Sequence, residues 1–516
     1  MSILFIVPPV SKPSEPLLGV PRLIGHLRRR RVSCSAWDAN VEGLLYLLSL
    51  PLPTREKRAR KCLDWRDRHL EGLRAQRTYQ NVDRYRRTVK DLSHLLGLAG
   101  ELHQSRIRFS DFQHARWQPL RSSDLLQAAD HPEANPFFSL FSQRLPQLLE
   151  SSRPAWVGIS ITYLSQALSS FAILGFLKRT FPELKVVLGG GLITSWMKRP
   201  SWKNPFSNHV DLLVSGPGEE VLDDLFSVQK ETSSASPEST SLPDYSDFPW
   251  NLYLSPGRVL PYNTSFGCHW NRCAFCPEKA EGRVYKPSPP LRVAEELQEL
   301  RAFYQPSLIH LTDNAIPPST LRKLAEISPG PPWYGFVRCQ EQLTDPAFAR
   351  QLKESGCCML KLGVESGDPA VLKNMKKGFT PKRSSRVLRT LSEAGIATYV
   401  YLLFGTPWED EESALRTLSF VEENHESVTF INPSLFRMPR FETTSSSGET
   451  TNDLSLYQDF NHEKGWDRRR VRHFLDRSFK KSPRVARILR RTPLQFTSNH
   501  APFLVLHRAI SSACRH

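Results

Sequence analysis

Residues 267–278 read Gly267-Cys268-His269-Trp270-Asn271-Arg272-Cys273-Ala274-Phe275-Cys276-Pro277-Glu278. Three of the nine cysteines fall in this stretch, spaced C-x4-C-x2-C, and most of the others are scattered. An odd, scattered complement fits a reducing compartment with no disulfide framework. Three thiolates on one short loop reach a common metal centre without long-range chain closure. A structural zinc site requires a fourth ligand, for which His269 is the only nearby candidate. A 4Fe–4S cluster held by three cysteines keeps one iron free of protein ligand, and that iron can take a substrate.

The loop directly follows an apolar run at 259–264, the first of six candidate strands; the others are 308–312, 333–337, 359–364, 398–403 and 428–431. Helical periodicity fills the gaps, clearest at 381–394, where Val387, Leu388, Leu391 and Ala394 share a face, and at 411–424. Six βα repeats predict a partial (β/α)6 TIM-like barrel over 255–442, with its active site at the strand C-terminal ends, where the cysteines lie. Residues 1–229 form another alternating series. Its candidate strands are 3–7, 32–37, 156–161, 185–188 and 211–214, with helices at 19–30 and 165–181. A charge-rich helical insertion occupies residues 50–150 or so. Gly189-Gly190-Gly191 follows one strand, and Ser215-Gly216-Pro217-Gly218-Glu219 follows the last. This pattern predicts an α/β, Rossmann-like open parallel sheet with a ligand crevice at that edge. Residues 230–254, rich in Ser, Pro and acidic side chains, read as an interdomain linker. Residues 443–516 read as a basic, mostly helical C-terminal region.

The net charge of +17 is unevenly placed: residues 54–90 carry 13 Lys/Arg against 5 Asp/Glu, and residues 464–516 carry 14 against 2. The rest of the chain is close to neutral. A basic stretch either contacts phosphates or is a solvated helical face. The first patch reads better as a solvated face. The second interleaves Trp466, His473, Phe474 and Phe479 with its arginines, so nucleic acid stays open there without being favoured. No apolar run reaches the length of a membrane span, and residues 1–10 lack the flanks of a signal peptide. A cytoplasmic protein without a transmembrane segment is expected.

Taken together, these segments resemble the radical S-adenosylmethionine (SAM) superfamily, in the subclass with an N-terminal cobalamin-binding domain. The likeness runs over nearly all of residues 1–440. Ile3-Leu4-Phe5-Ile6-Val7-Pro8-Pro9, Ser14-Glu15-Pro16-Leu17-Leu18-Gly19, the triple glycine and residues 215–219 are typical of that subclass. Leu311-Thr312-Asp313-Asn314, Gly363-Val364-Glu365-Ser366-Gly367 and Phe404-Gly405-Thr406-Pro407 resemble the superfamily's SAM-site segments. The usual spacing is C-x3-C-x2-C. The longer first gap here, with an aromatic residue inside it, resembles cobalamin-dependent members.

The resemblance implies that Cys268, Cys273 and Cys276 hold three irons while SAM chelates the fourth. It places Phe275 near the adenine and Glu365 on the ribose or amino group. Arg338 is implied to pair with the SAM carboxylate, Asp313 to face the mouth, and Gly405 to let backbone approach the adenine. Gly189, Gly190 and Gly191 would admit the corrin or its nucleotide tail. Ser160 and Thr162 would donate to the tail, with Gly216, Gly218 and Glu219 shaping the next loop. The first domain lacks an Asp-x-His-x-x-Gly motif, so cobalamin would bind without an axial histidine from it. His26 reads as structural. The implied activity is methyl transfer to an unactivated carbon, through a 5′-deoxyadenosyl radical and methylcobalamin. Rearrangement, ring contraction or sulfur insertion, including on RNA, is the alternative, and a non-catalytic iron–sulfur or cobalamin-binding module the other. The expected partners are a small-molecule or peptide substrate and a reducing protein such as flavodoxin or ferredoxin.

Overall fold

Short apolar runs closed by Pro, Gly or a small polar residue become parallel strands throughout the chain. The computed structural model describes residues 2–199, 202–227, 242–440, 452–460, 462 and 465–492. The chain divides into two units, one built on Met1–Pro256 and the other on Gly257–Phe441 with Tyr457–Leu494.

The first unit contains β1 (Ser2–Ile6), β2 (Ser33–Trp37), β3 (Ser105–Arg108), β4 (Asp111–His114), β5 (Trp156–Ser160), β6 (Lys185–Gly189) and β7 (Leu212–Leu213). Five of these form one sheet in the order β2-β1-β5-β6-β7, every pairing parallel. With the insertion hairpin set aside, the order is that of a flavodoxin-like doubly wound sheet, whose crevice opens where the winding reverses. That point lies between β1 and β5. Gln166 spans it: its side-chain amide donates to the Pro8 carbonyl (2.8 Å) and accepts from the N–H groups of Thr162 and Tyr163 (2.9 Å each).

Two expectations for this unit are corrected. The insertion is not purely helical, because β3 and β4 pair as an antiparallel hairpin behind the helix Val82–Glu101. Its basic helix Lys57–Arg74 turns Ala59, Cys62 and Leu73 inward and leaves Arg58, Arg60, Lys61 and Arg68 exposed, which is the solvated face. The linker reading also fails for the part in view. Tyr245, Phe248, Tyr253 and Leu254 are buried, and Asp244 and Asp247 pair with Arg28 at 2.7 and 2.6 Å. Acidic residues that resemble linker composition serve here as ion-pair partners. Residues 230–241 of that linker, and residues 443–451 and 493–516 of the C-terminal region with Cys514, lie outside the described residues.

The second unit contains β8 (Val259–Tyr262), β9 (Ser265–Phe266), β10 (Lys286–Pro287), β11 (Leu308–Leu311), β12 (Trp333–Val337), β13 (Cys357–Glu365), β14 (Ala397–Phe404) and β15 (Phe430–Leu435). Six strands form one parallel sheet, β15-β14-β13-β12-β11-β8, which does not close into a barrel among the described residues. Its two faces differ in chemistry because side chains alternate along each strand. Ile309, Leu311, Leu360, Leu362, Val400 and Leu402 are buried on one face, where the crossover helices pack. The other face presents His310, Tyr334, Phe336, Lys361, Tyr399 and Tyr401. His310 stacks on Tyr334 (4.5 Å between centroids), and the buried Lys361 ammonium sits 3.0 Å from His310 Nε2 and 4.4 Å from the Phe336 ring centre. A lysine inside a strand that otherwise reads as core was not singled out by periodicity.

The C-terminal aromatics are also part of the core. Trp466, Phe474 and Phe479 are buried, with Phe479 against Phe404 (5.1 Å) and Trp466 against Phe474 (5.7 Å). They are not a free stacking platform for bases, while Arg469, Arg470 and Arg472 remain exposed.

Gly190 has φ +101°, and a Cβ there would lie 2.6 Å from the Ile161 carbonyl oxygen. Gly190→Ala should therefore destabilise the first unit by about 1–3 kcal/mol, read as a lower midpoint in urea unfolding. An unchanged midpoint would contradict this packing.

Candidate functional site

In the second unit the parallel register brings the C-terminal ends of β8, β11, β12, β13 and β14 to one edge. The cysteine loop, Asp313, Arg338, Glu365 and Gly405 all leave the sheet there. Their contacts assign them different tasks.

Asp313 is 3% exposed. Its carboxylate accepts from the Thr264 N–H (3.0 Å), the Thr264 hydroxyl (2.9 Å) and the Ser265 hydroxyl (2.7 Å). Burial pushes its pKa up, and these hydrogen bonds offset part of that rise. The expectation that Asp313 faces the mouth is thus corrected: its acceptors are spent on the segment that leads into the cysteine loop. Beyond that segment, the antiparallel pair β9–β10 brackets the loop.

Cys273 is buried and Cys268 and Cys276 are half-buried, all as free thiols. Cys276 precedes the short helix Pro277–Ala280, and burial pushes its thiol up to about 11. Among the described residues no three His, Cys, Asp or Glu side chains gather in single-ion geometry. His269 bonds the Ala315 backbone, and its Nδ1 is buried without a partner. The donor set of three thiols with no fourth ligand fits an iron–sulfur cluster, which takes one thiolate per iron, better than a closed zinc site.

Arg338, just past β12, packs against this loop. Its guanidinium stacks on Trp270 (4.3 Å to the ring centre), donates to Cys273 Sγ (3.7 Å) and donates to the Lys377 carbonyl. The Trp270 indole N–H in turn donates to the Lys376 carbonyl (2.8 Å).

Glu365 and Phe275 meet at a cavity of about 360 Å³, lined also by Phe336, Gly363, Tyr401 and Phe436. Glu365 sits at a bulge in the β13–β14 register with φ +67°, a conformation that L residues occupy at a cost. Its carboxylate pairs with the Lys377 ammonium at 3.2 Å, and both side chains are largely buried. Lys377 also lies 5.5 Å from the Phe275 ring centre. Sequence reasoning missed Lys377, which sits in an irregular turn, because no motif or periodicity marks it. The cavity offers an aromatic wall, a carboxylate and an ammonium, a set suited to a ligand with apolar and zwitterionic parts.

Gly405, with φ +80°, is approached by a side chain of this chain. A Cβ there would meet Val471 of the helix Arg468–Phe474 at 3.3 Å. Its N–H donates to Glu409, which also accepts from the Trp466 indole (3.1 Å); Glu409 Oε1 is buried without a partner. The glycine therefore accommodates the C-terminal helix, and the carboxylate behind it was not read from sequence.

In the first unit, Ser160 and Thr162 leave β5 half-buried at the crevice. A Cβ at Gly189 or Gly191 would meet Val214 or Thr162 at ordinary contact distance, so within the run only Gly190 is packed too closely against this unit's own chain for a side chain. Gly216 has φ +84° with open space where a Cβ would go, and its N–H donates to Thr194 (3.0 Å). A Cβ at Gly218 would lie 3.3 Å from Leu23. Glu219 is paired with Arg22 at 2.9 Å. His26 is bonded to Asp223 (2.8 Å), a structural contact.

Residues 262–421 match the model of the radical SAM superfamily. An uncharacterized methyltransferase of Pyrococcus horikoshii is 24% identical over 320 residues, which span 54% of this chain and 66% of that one. Among solved structures, the radical S-adenosylmethionine methyltransferase TsrM from Kitasatospora setae, with tryptophan substrate and a SAM analog bound, aligns with a TM-score of 0.51 and 16% identity. That alignment covers 84% of this chain and 73% of TsrM. The cobalamin-dependent S-adenosylmethionine radical enzyme OxsB, with aqua-cobalamin and S-adenosylmethionine bound, aligns with a TM-score of 0.52 and 12% identity. It covers all of this chain and 61% of OxsB. These structures share the fold. No helix among the described residues is long and apolar enough to cross a membrane.

Burial raises the Glu409 carboxyl from its ordinary 4.5 to about 7. Between those values the folded chain holds a proton that the unfolded chain has lost, so stability falls as pH rises through the window, by about 3 kcal/mol. Glu409→Gln should remove this dependence and leave the protein more stable than wild type at the upper end. Urea unfolding at about pH 5 and pH 8 checks both the sign and the size.

Proposed function

With a radical SAM domain at residues 262–421 as the premise, we propose that the chain is a cobalamin-dependent radical SAM enzyme that methylates an unactivated carbon of a small molecule or peptide. The observation that carries this reading is the convergence of the three-thiol loop, Phe275 and Glu365 at one strand edge around the 360 Å³ cavity. When bound, the cluster with SAM supplies a carbon-centred radical, and cobalamin supplies a transferable methyl group. Cys268, Cys273 and Cys276 would hold the cluster. The Arg338 guanidinium, which donates to Cys273 Sγ at 3.7 Å, would help fix that sulfur in place. Glu365 and Lys377 would orient the charged end of SAM, and Phe275, Phe336 and Tyr401 would exclude water from it. In the first unit, Ser160, Thr162 and the open backbone at Gly216 support a cobalamin tail at the sheet's reversal point. The fold shared with OxsB supports it too. An oxygen-sensitive cluster and unpaired thiols suit a reducing cytoplasm.

The decisive test is anaerobic purification with added cobalamin, followed by metal analysis and ultraviolet–visible spectra. Wild type should carry about four irons and about one cobalt per chain. The variant Cys268→Ala/Cys273→Ala/Cys276→Ala should lose iron and keep cobalt. Zinc in place of iron would overturn the reading, and iron without cobalt would leave radical SAM chemistry but remove the methyl donor. In the iron-loaded protein, Glu365→Gln should weaken SAM binding by about tenfold, measured by calorimetry. Equal affinity would take Glu365 out of the site.

A further inference from the structure

A groove of about 780 Å³ runs beside the cysteine loop, and its walls are cationic: Arg272 and Lys279 on the loop side, Lys373, Lys376 and Arg383 across from them. Among the described residues no acidic side chain lines it. Arg272, Lys279, Lys373 and Lys376 are exposed. Arg383 pairs with Glu341 at 2.8 Å, while the other four have no ion pair among the described residues. Like charges held together without counter-charges repel one another, and a complementary anionic surface relieves that repulsion.

The groove is physically continuous with the thiols. Trp270 forms part of its wall, and the Trp270 ring packs on Gly378. The ring also stacks on Arg338, whose guanidinium reaches Cys273 Sγ. Two stacked side chains thus separate the bottom of the groove from a cluster-holding sulfur. Trp270, Asn271 and Arg272, three of the four residues in the first cysteine gap, line this wall.

We propose that this groove is the docking surface for an acidic one-electron donor protein, which delivers its electron through the cysteine loop; the inference rests on the cluster reading above. The donor is oxidised by one electron and the cluster is reduced by one, with no bond made or broken. Electron-transfer contacts are small and governed by charge, which suits an open groove with free ammonium groups. A single-stranded nucleic acid would add base stacking on free aromatic faces to its phosphate contacts. Here Arg338 and Arg272 lie against the Trp270 ring, at 4.3 and 5.2 Å from its centre.

The test uses the full chain after anaerobic cluster loading, with fluorescently labelled flavodoxin as the probe. Binding is read by anisotropy, and cluster bleaching by reduced flavodoxin or by dithionite is followed in stopped flow. Lys373→Glu/Lys376→Glu should weaken flavodoxin binding and slow bleaching by about tenfold or more at low salt. The rate with dithionite should hold. Lys373→Gln/Lys376→Gln should fall between. Arg58→Glu/Arg60→Glu, on the exposed helix of the first unit, should match wild type. Raising salt from about 20 to 300 mM should erase the difference between wild type and reversal. Binding that is indifferent to the reversal overturns the proposal. So does an RNA oligonucleotide that binds this groove while flavodoxin does not. Anisotropy needs no cluster, so a chain that binds flavodoxin through these lysines but carries no iron would leave the surface standing and refute only the cofactor reading.

Discussion

The arrangement at the mouth of the second unit depends on one buried carboxylate. Asp313 leaves the sheet one strand away from the cysteine loop and gathers the backbone and hydroxyl donors of Thr264 and the hydroxyl of Ser265. Those residues set the direction in which the chain departs from β8, and so where Cys268 begins. A buried carboxylate without donors is costly, and donors without it are equally stranded. Each side therefore enforces the other, and the loop starts from a fixed point although most of its own residues are irregular.

Around that loop the electrostatics are layered. Against the thiols stands Arg338, stacked on Trp270 and held by the Lys377 carbonyl. Next is the Lys377–Glu365 pair, which spans from the loop side to the cavity and leaves the pair formally neutral. Outside lies the groove with its unpaired lysines. The influence of a charge weakens with distance and solvent. The inner cation is engaged within the loop, whereas the outer ones face whatever approaches from solution.

Much of this was legible in the sequence, because parallel strands are short apolar runs and their C-terminal ends are marked by Gly, Asp, Asn and Glu. β12 coincides with its predicted run, and β11, β13 and β14 differ only at their ends. The Cys triad stood out by its spacing and by its place after the first strand of the second series. What sequence could not give was the direction of each side chain. Asp313 turns inward, Glu219 turns to Arg22, and Gly405 receives Val471 instead of standing bare. The linker was misjudged because an acidic, Ser/Pro-rich composition looks the same whether its carboxylates meet water or Arg28. Lys377, Lys361 and Glu409 were invisible for a related reason: each is a charged residue whose partner lies elsewhere in the sequence, and no local pattern announces such pairs.

The contact between Glu409 and Trp466 has a consequence for the order in which the protein is made. Glu409 lies 57 residues ahead of the indole that donates to it. During synthesis the strand, the Gly405 turn and the carboxylate emerge well before their last donor and before Val471 closes over the glycine. Until then the edge of the sheet carries an unclosed apolar face and a carboxyl short of one partner. The second unit therefore reaches its final packing only when its C-terminal helices arrive, and a chain halted between these points would present that face to other molecules.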